Sequence, residues 1–361
     1  MTMVRCKRCV LPATRPDIFF DAEGICSACR AYERRPTIDW EARKRDLLNL
    51  LDRHDGKCIV PSSGGKDSTY QVLTLLELGA SPTIVTATTC MLTTIGRQNI
   101  DNLARYADTI EISPNKTQRA KLNRIGLEMV GDISWPEHVG IFTIPFRMAC
   151  SLGVPLMFYG ENPLDQYGGP PGSEDAKIMT RRWVSEYGGF LGLRPSDITN
   201  VGDMSLYTAP SQDQLDQVGV EAHFLGQYLE WDSHKNAEVA GAHGFRYELP
   251  CMANWWPFEN QDNSDTFWHD HAMFRKYGYG RLCAQISVDI RMGMIGRMAA
   301  MDIVRERDGV IVENYMGIPV FESAKRIGMT GDEFVKVLDK FTNWGLFDRV
   351  EDGRLILKEF A

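Results

Sequence analysis

The stretch Ser63-Gly64-Gly65-Lys66-Asp67-Ser68 decides the fold of this chain. It follows a short apolar run at 58–61 and precedes residues 70–79, where apolar side chains recur at helical spacing. The pattern therefore predicts a strand, a glycine-rich turn and a helix. Two adjacent glycines let the backbone approach an anion closely, and the first turn of the helix directs backbone N–H groups toward it.

Charged side chains in the same turn indicate a site for nucleotide phosphates. Lys66 can pair with phosphate oxygens, and Asp67 can hold Mg²⁺, which prefers oxygen ligands and shares them with phosphates. The turn does not fit the Walker A pattern, because an aspartate follows the lysine. It resembles the S-G-G-x-D-S signature of the PP-loop ATP pyrophosphatases, which implies that ATP is cleaved between its α- and β-phosphates. An ordinary glycine-rich turn between a strand and a helix is the alternative.

Composition limits the class of protein and its partners. The 361 residues are 43% hydrophobic and 24% charged, as in globular proteins, and this length predicts two or three folding units. A net charge of −8 makes nucleic acid an unfavourable principal partner, since its binding needs a basic surface. The first nine residues lack the apolar core of a secretion signal, and proline and arginine interrupt the most apolar region, 139–160. We therefore expect a cytoplasmic protein without a membrane span.

Four of the nine cysteines form two closely spaced pairs, Cys6-x2-Cys9 and Cys26-x2-Cys29. This spacing predicts a structural zinc site with four thiolate ligands. Two disulfides and unconnected core cysteines are the alternatives, and disulfides conflict with the missing secretion signal. Residues 1–35 would then be a small module that needs the metal to fold and that packs on the main domain.

Strand-like and helix-like segments alternate from residue 36 to about 160. The strand-like segments after the first are 83–88, 109–114 and 155–160. The alternation predicts an α/β fold, a Rossmann-like, mainly parallel sheet with helices on both faces. Ligands bind at the carboxyl ends of such strands, so residues 62–68, 86–88 and 160–162 are expected to converge on one crevice.

The expected PP-loop domain spans 36–250 and contains a substrate-binding insertion at 161–250, in which residues 224–231 resemble a strand. Residues 251–361 combine an aromatic-rich substrate segment with a C-terminal helical appendage. The aromatic side chains of that segment suit a sugar ring or a base, although a buried core explains them equally well. A capping box at 330–333, followed by apolar residues at helical spacing, predicts a helix near the C-terminus.

A closer resemblance covers residues 1 to about 310. The two cysteine pairs and the residues between them, followed by S-G-G-K-D-S, resemble the N-acetyl sugar amidotransferases. That family acts in the synthesis of bacterial surface polysaccharides such as lipopolysaccharide and its O-antigen. The blocks at 160–163, 224–232 and 276–281 are similar to further motifs of that family, whereas 295–298 departs from the acidic helix start expected there. The resemblance implies that an acetamido group on a nucleotide-linked sugar becomes an acetamidino group, with ATP and ammonia consumed.

This chemistry assigns roles to individual residues. The turn residues expected to bind phosphate are Ser63, Gly64, Gly65, Lys66 and Ser68. Asp67 is expected on Mg²⁺, and Lys66 and Asp67 are the catalytic candidates there. The backbone of Thr86 and Ala87 is expected to meet adenine, and Glu161 and Asn162 to meet the reacting amide directly or through neighbours. Weaker substrate candidates are Asp232, His234, Lys235, His271 and Arg281, with a helix start as the alternative explanation for the first three.

The expected reaction begins at the amide oxygen, because an amide carbonyl is a poor electrophile for ammonia. Attack of that oxygen on the α-phosphate gives an O-adenylyl imidate and pyrophosphate, and ammonia then displaces AMP. Glutaminases commonly carry their activated cysteine in a Gly-x-Cys-x-Gly context or at position 2, after removal of the initial Met. No cysteine of this chain has that context, and residue 2 is Thr. Ammonia is therefore expected from a separate glutaminase partner.

Two other functions fit the same motifs. A tRNA thiolase also couples a PP-loop to cysteine pairs, but its chemistry needs further catalytic or cluster-holding cysteines, and the five remaining cysteines are scattered singly. A protein that binds ATP as a sensor or scaffold is the second alternative. The intact Lys66 and Asp67 argue against it.

Overall fold

A five-stranded parallel sheet forms the centre of the fold. The computed structural model describes residues 3–160, 178–248, 252–351 and 353–361. The strands are β1 (Lys57–Pro61), β2 (Ser81–Ala87), β3 (Thr109–Ile112), β4 (Leu156–Tyr159) and β5 (Glu221–Phe224). Their order is β3-β2-β1-β4-β5, and all neighbouring strands run parallel. The connections therefore diverge on either side of β1, which confirms the predicted Rossmann-like sheet and creates a crevice at the end of β1.

Helices cover both faces of this sheet. Those of the first two thirds of the chain are α1 (Ser27–Arg34), α2 (Trp40–Arg53), α3 (Lys66–Glu77), α4 (Thr94–Leu103), α5 (Lys116–Val130), α6 (Trp135–Leu152), α7 (Arg181–Tyr187), α8 (Gln212–Val218) and α9 (Ser233–Ala242). Successive strand residues point to opposite faces, so Ile59 packs with α5 and α6, whereas Val60 packs with α2 and α3. None of the helices in the described ranges is long and apolar enough to cross a bilayer.

The sequence pattern does not predict α6, which is a helix of 18 residues. Its apolar side chains lie all around the axis because β1 and β2 cover one side and neighbouring helices and turns cover others. Such a helix lacks the one-sided periodicity that identifies a surface helix, and it contains Pro145, a residue type that disfavours helix interiors.

The prediction of a strand at 224–231 is wrong in its position, because the observed strand lies earlier in the chain. β5 ends at Phe224, and residues 225–227 form a buried 3₁₀ turn. Leu225, Tyr228 and Trp231 join the core on the α2–α3 face of the sheet. The apolar residues after position 224 are therefore buried in an irregular segment and do not form a strand. β5, which lies within the range expected as an insertion, is the edge strand of the sheet.

The C-terminal region is helical with two small hairpins. Its elements are α10 (Thr266–Tyr277), α11 (Arg281–Arg291), α12 (Arg297–Arg307), β6 (Asn314–Tyr315), β7 (Ile318–Pro319), α13 (Glu322–Arg326), α14 (Gly331–Phe341), β8 (Phe347–Arg349) and β9 (Leu355–Leu357). The predicted capping box is present, since Thr330 Oγ1 accepts a hydrogen bond from the Glu333 backbone at 3.2 Å. The apolar face of α14 is buried against α10 and α13, as expected of an amphipathic helix.

The cysteine module packs on the C-terminal helices, which corrects the expectation that it would pack on the main domain. Val10 and Leu11 are fully buried in one apolar cluster with Leu282 and Ile286 of α11. The Nε of Arg297, the first residue of α12, also donates to the carbonyl oxygens of two zinc-ligand candidates. So small a module cannot bury its apolar residues alone, and these two helices complete its core.

Candidate active site

The turn after β1 has a conformation that glycine makes possible. Gly64 has φ of +81°, and a Cβ there would lie 2.8 Å from the backbone nitrogen of Ile100. Ser62 Oγ accepts from the Gly64 N–H at 2.9 Å and donates to Ser68 Oγ at 2.8 Å. These contacts fix the turn between the end of β1 and the first turn of α3.

A cavity of about 290 Å³ opens over this turn, a size at the lower end for small-molecule sites. Its lining includes 61–68, Ala87 at the end of β2 and Gly160 directly after β4. The structure thus brings together the three strand ends that were expected to converge. Thr86, the other adenine candidate, is 2% exposed and does not line the cavity. Glu161 and Asn162 lie outside the described residues.

Lys66 is the centre of a buried charge cluster in the cavity wall. Its side chain is 2% exposed, and its Nζ lies 2.5 Å from Asp67 Oδ2 and 2.5 Å from Glu259 Oε1. Burial lowers the pKa of Lys66, but the two carboxylates outweigh it and raise that pKa above its ordinary value. The lysine therefore stays charged, as a group that binds phosphate must.

Asp67 is held from a second side by α9. Asn236 Nδ2 donates to Asp67 Oδ1 at 2.9 Å, which orients the carboxylate. Burial raises the pKa of Asp67, while the Lys66 charge opposes this and the Glu259 charge adds to it. Burial also raises the pKa of the nearby Asp262 to about 6. Asp67, Asp262 and Glu259 bring carboxylate oxygens to the turn, and Mg²⁺ prefers such hard oxygen ligands.

Sequence reasoning missed Asn236, Glu259 and Asp262, because none of them belongs to a motif near the turn. Glu259 and Asp262 come from the loop before α10 and reach the turn across more than 190 positions of sequence. The local signal in the sequence is a polar run, 259–263, directly after aromatic residues. Only the fold shows that this run faces the turn.

The cavity lining also includes a buried ion pair, which sequence reasoning missed. Arg119 Nη1 lies 2.8 Å from Glu137 Oε1, and Arg119 Nε donates to the Tyr207 hydroxyl at 2.8 Å. Glu137 Oε2 accepts from Asn123 Nδ2 at 2.7 Å. Arg119 Nη2 is buried and has no hydrogen-bond partner within the described ranges. The lining therefore includes a fixed positive charge with one unpaired N–H group.

None of the five weaker substrate candidates lines the cavity. Asp232 caps α9, accepting from the backbone of His234 and Lys235, and His234 Nε2 lies 2.8 Å from Asp289 Oδ1. His271 is buried beside aromatic residues of α10, where burial lowers its pKa to about 3. Arg281 Nε donates to Asp270 at 3.2 Å. The alternative explanation, a helix start, therefore fits Asp232, His234 and Lys235. Helix α9 contributes to the site through Asn236 instead.

Most aromatic side chains of the segment before and within α10 belong to the protein core. Phe267, Trp268 and Phe274 are all less than 5% exposed, as the core explanation requires. Phe258 differs, because it lines the cavity and the Lys66 ammonium lies 5.5 Å from its ring centroid. A cation over an aromatic face is stabilised electrostatically, so Phe258 also helps to hold the lysine.

The four paired cysteines meet in a buried cluster. The Cys6 and Cys29 sulfurs are 3.9 Å apart, and the Cys9 and Cys26 sulfurs are 3.7 Å apart. Both distances are too long for disulfides, and four sulfurs at about 2.3 Å from a tetrahedral zinc would be about 3.8 Å apart. All four side chains are fully buried. The donor set and its spacing fit zinc, which would supply folding energy to the module.

Comparisons with known proteins add a family likeness in one part of the chain. Residues 261–358 match the family model of the C-terminal domain of the LPS biosynthesis protein WbpG and its relatives. The match includes Gln261 and Asp262 of the cavity wall and the helices that cover the cysteine module. The PP-loop lies outside it. No curated protein matches the chain.

Two solved structures are among those that resemble this chain. One is a predicted subunit of a tRNA methyltransferase from Methanocaldococcus jannaschii, with 11% identity over 51% of this chain and 75% of that chain, at a TM-score of 0.29. The other is NMN synthetase from Francisella tularensis, with 11% identity over 59% of this chain and 99% of that chain, also at a TM-score of 0.29.

Proposed function

We propose that this chain is an ATP-dependent amidotransferase that converts the acetamido group of a nucleotide-linked N-acetyl sugar into an acetamidino group. The observation that carries the proposal is one cavity lined both by the glycine-rich turn at 62–68 and by the buried Arg119. The likeness of residues 261–358 to a domain of LPS biosynthesis proteins supports a sugar substrate. Together these features favour a synthetase-type enzyme, and we propose that it acts in the cytoplasm.

The PP-loop end is the proposed site for ATP. Ser63, Ser68 and the backbone of the two glycines would bind phosphates, and Lys66 would exchange one of its carboxylate partners for them. Asp67 would hold Mg²⁺, which neutralises charge on the phosphates when bound. Adenine would lie against Ala87 at the end of β2, with Thr86 behind it.

The sugar substrate is proposed to occupy the remainder of the cavity. Arg119 Nη2 would donate to an oxygen of that substrate, because it is a buried donor of a lining residue without a partner among the residues described. Gly160 lines the cavity, so the two residues that follow it, Glu161 and Asn162, remain the proposed contacts of the reacting amide.

The proposed chemistry places an oxygen nucleophile beside the α-phosphate. The acetamido oxygen attacks phosphorus, pyrophosphate leaves, and ammonia replaces AMP at the imidate carbon. The protein contributes alignment and fixed charge. No cysteine of the described ranges lines the cavity, which disfavours the thiolase alternative. Ammonia would reach the site from a separate glutaminase.

A mass-spectrometric screen tests the function. The chain is incubated with nucleotide-linked N-acetyl sugars, ATP, Mg²⁺ and ammonium, and an O-to-NH exchange lowers the product mass by about one dalton. We expect AMP and pyrophosphate in equal amounts with the product, and no product when glutamine replaces ammonium. A Lys66→Gln variant is the control for ATP use. Pyrophosphate release that requires tRNA and no sugar would contradict the proposal.

A further inference from the structure

A second group of metal-ligating side chains lies outside the lining of the active-site cavity. Asp132 lies between α5 and α6, His138 lies on α6, and His269 lies on α10. One ligand atom from each lies within 4.8 Å of the other two. The group therefore joins the sheet-covering helices to the C-terminal region.

The distances within this group are close to those between ligands of one metal ion. His269 Nδ1 lies 2.8 Å from Asp132 Oδ2, and His138 Nδ1 lies 3.9 Å from the same oxygen. The two imidazole centroids are 4.6 Å apart. Ligand atoms at 2.0–2.2 Å from a tetrahedral ion are about 3–4 Å apart, so small side-chain rotations would suffice.

One nitrogen of the group is buried without a partner. His138 Nδ1 makes no hydrogen bond within the described ranges, although the ring packs closely on Gly189. The backbone N–H of Ser134 binds Asp132 Oδ1 at 2.8 Å, which leaves Oδ2 directed at the two histidines. A buried ring nitrogen without a partner costs free energy that a metal ion would recover.

Three other charged side chains face the group. Asp270 and Arg281 face it as an ion pair, with the Arg281 Nε 3.2 Å from Asp270 Oδ1. Lys276 also faces Asp132, and its ammonium donates to the Val130 carbonyl at 2.6 Å. Asp132 is 4% exposed, whereas the two imidazoles are 22–25% exposed, so an ion could enter and keep a water ligand.

We propose that Asp132, His138 and His269 bind a divalent transition metal, with zinc favoured, through two imidazoles and one carboxylate. Imidazole ligands select such ions over Mg²⁺, which prefers oxygen. The fourth position is open to water. The site is separate from the cysteine cluster and from the proposed amidotransferase chemistry, and the ion would link α6 to α10.

Cobalt titration of the full chain tests this site without a substrate. Protein that retains zinc in its cysteine cluster is titrated with Co²⁺ in excess Mg²⁺, and visible absorption and bound metal are measured. We expect one added Co²⁺ per chain with weak d–d bands and no intense sulfur-to-cobalt charge transfer, displaced by Zn²⁺. His138→Gln and His269→Gln should each weaken binding by at least about tenfold, since even outer-shell partners contribute that much.

A matched control is His243→Gln, which removes an exposed histidine of another surface. It should bind Co²⁺ as the wild type does, and thermal unfolding without added metal checks that all variants fold. No added Co²⁺ in the wild type would overturn the proposal, whether or not the variants fold. Equal Co²⁺ binding by the wild type and all three variants would overturn it too.

Discussion

The Lys66 ammonium and the Glu259 carboxylate lie 2.5 Å apart, although 193 positions separate them in the sequence. This pair joins the PP-loop helix to the loop before α10. With Asp67 it forms a cluster of one buried cation and two carboxylates. An ATP molecule at this turn must compete with those carboxylates for the lysine, so the cluster sets the electrostatic cost of nucleotide binding.

Removing the negative charge of Glu259 should strengthen nucleotide binding in the absence of Mg²⁺. In Glu259→Gln, Lys66 keeps one carboxylate partner, and less negative charge repels the phosphates. We expect the Kd for ATP to fall about two- to fivefold, which corresponds to the worth of a partly exposed ion pair. Calorimetric titration measures this Kd. Glu230→Gln, which changes an exposed carboxylate elsewhere, is the control, and weaker binding by the Glu259 variant would contradict the argument.

Asp67→Asn should abolish turnover and leave the fold intact. The substitution keeps the size of the side chain and its place beside Asn236, but removes the charge proposed to hold Mg²⁺. We expect the rate of pyrophosphate release to fall by about 10²-fold or more. The exposed Asp302→Asn is a matched control. Undiminished turnover in folded Asp67→Asn protein would remove this carboxylate from the mechanism.

Cys26→Ser should lose zinc and much of the stability of the chain. Metal binding supplies folding energy to the cysteine module, and the module shares its core with α11 and α12. We expect one zinc per chain from the cysteine cluster of the wild type and none from that of the variant, with a lower Tm. Elemental analysis and thermal unfolding measure both. Cys150→Ser, outside the cluster, should keep its zinc, and a folded wild-type protein without zinc would refute the assignment.

The carboxyl group of Asp262 should make stability depend on pH. Burial raises its pKa from 3.8 to about 6, so the folded state binds this proton more tightly than the unfolded state. Its stabilising effect is complete below about pH 4 and is lost as the pH rises through about 6. Asp262→Asn should therefore gain stability relative to the wild type as the pH rises from 4 to 7, by up to about 3 kcal/mol for a shift of this size. Urea unfolding at several pH values measures the difference, and a pH-independent difference would contradict the assignment.

Isotope labelling can locate the nucleophile. If the acetamido oxygen attacks the α-phosphate, ¹⁸O in the acetyl carbonyl must leave with AMP, and pyrophosphate stays unlabelled. The proposed PP-loop role of the turn favours this route, because it would hold the β- and γ-phosphates as a departing pair. Attack at the γ-phosphate would give ADP and labelled phosphate, and either that result or label retained in the sugar would exclude the adenylyl imidate.

The sheet and the PP-loop were predictable because their signals are local. Residues 63–68 carry the turn, and β-branched or fully apolar runs mark β2 and β4 within one or two residues of their observed ends. The capping box before α14 is likewise a pattern of four adjacent residues. In each case neighbouring residues determine the conformation, and tertiary packing stabilises what they already favour.

The remainder of the site could not be predicted, because it is formed by tertiary contacts. Glu259 reaches Lys66 from a distant loop, and Asn236 reaches Asp67 from α9. Arg119 and Glu137 are ordinary helix residues in the sequence, and only the packing of α5 on α6 turns them into a buried pair at a cavity. No periodicity or motif distinguishes such residues from solvent-exposed charges on a helix.

The Lys66–Glu259 contact also has a consequence for synthesis on the ribosome. At about 5–20 residues per second, Glu259 is made roughly 10–40 s after Lys66. During that interval the β1–α3 unit can form, but the lysine has only its neighbour Asp67 as a partner among the cluster carboxylates. The nascent chain thus displays its glycine-rich turn with a cation that is not yet enclosed. The later segment then closes over a turn that has already formed.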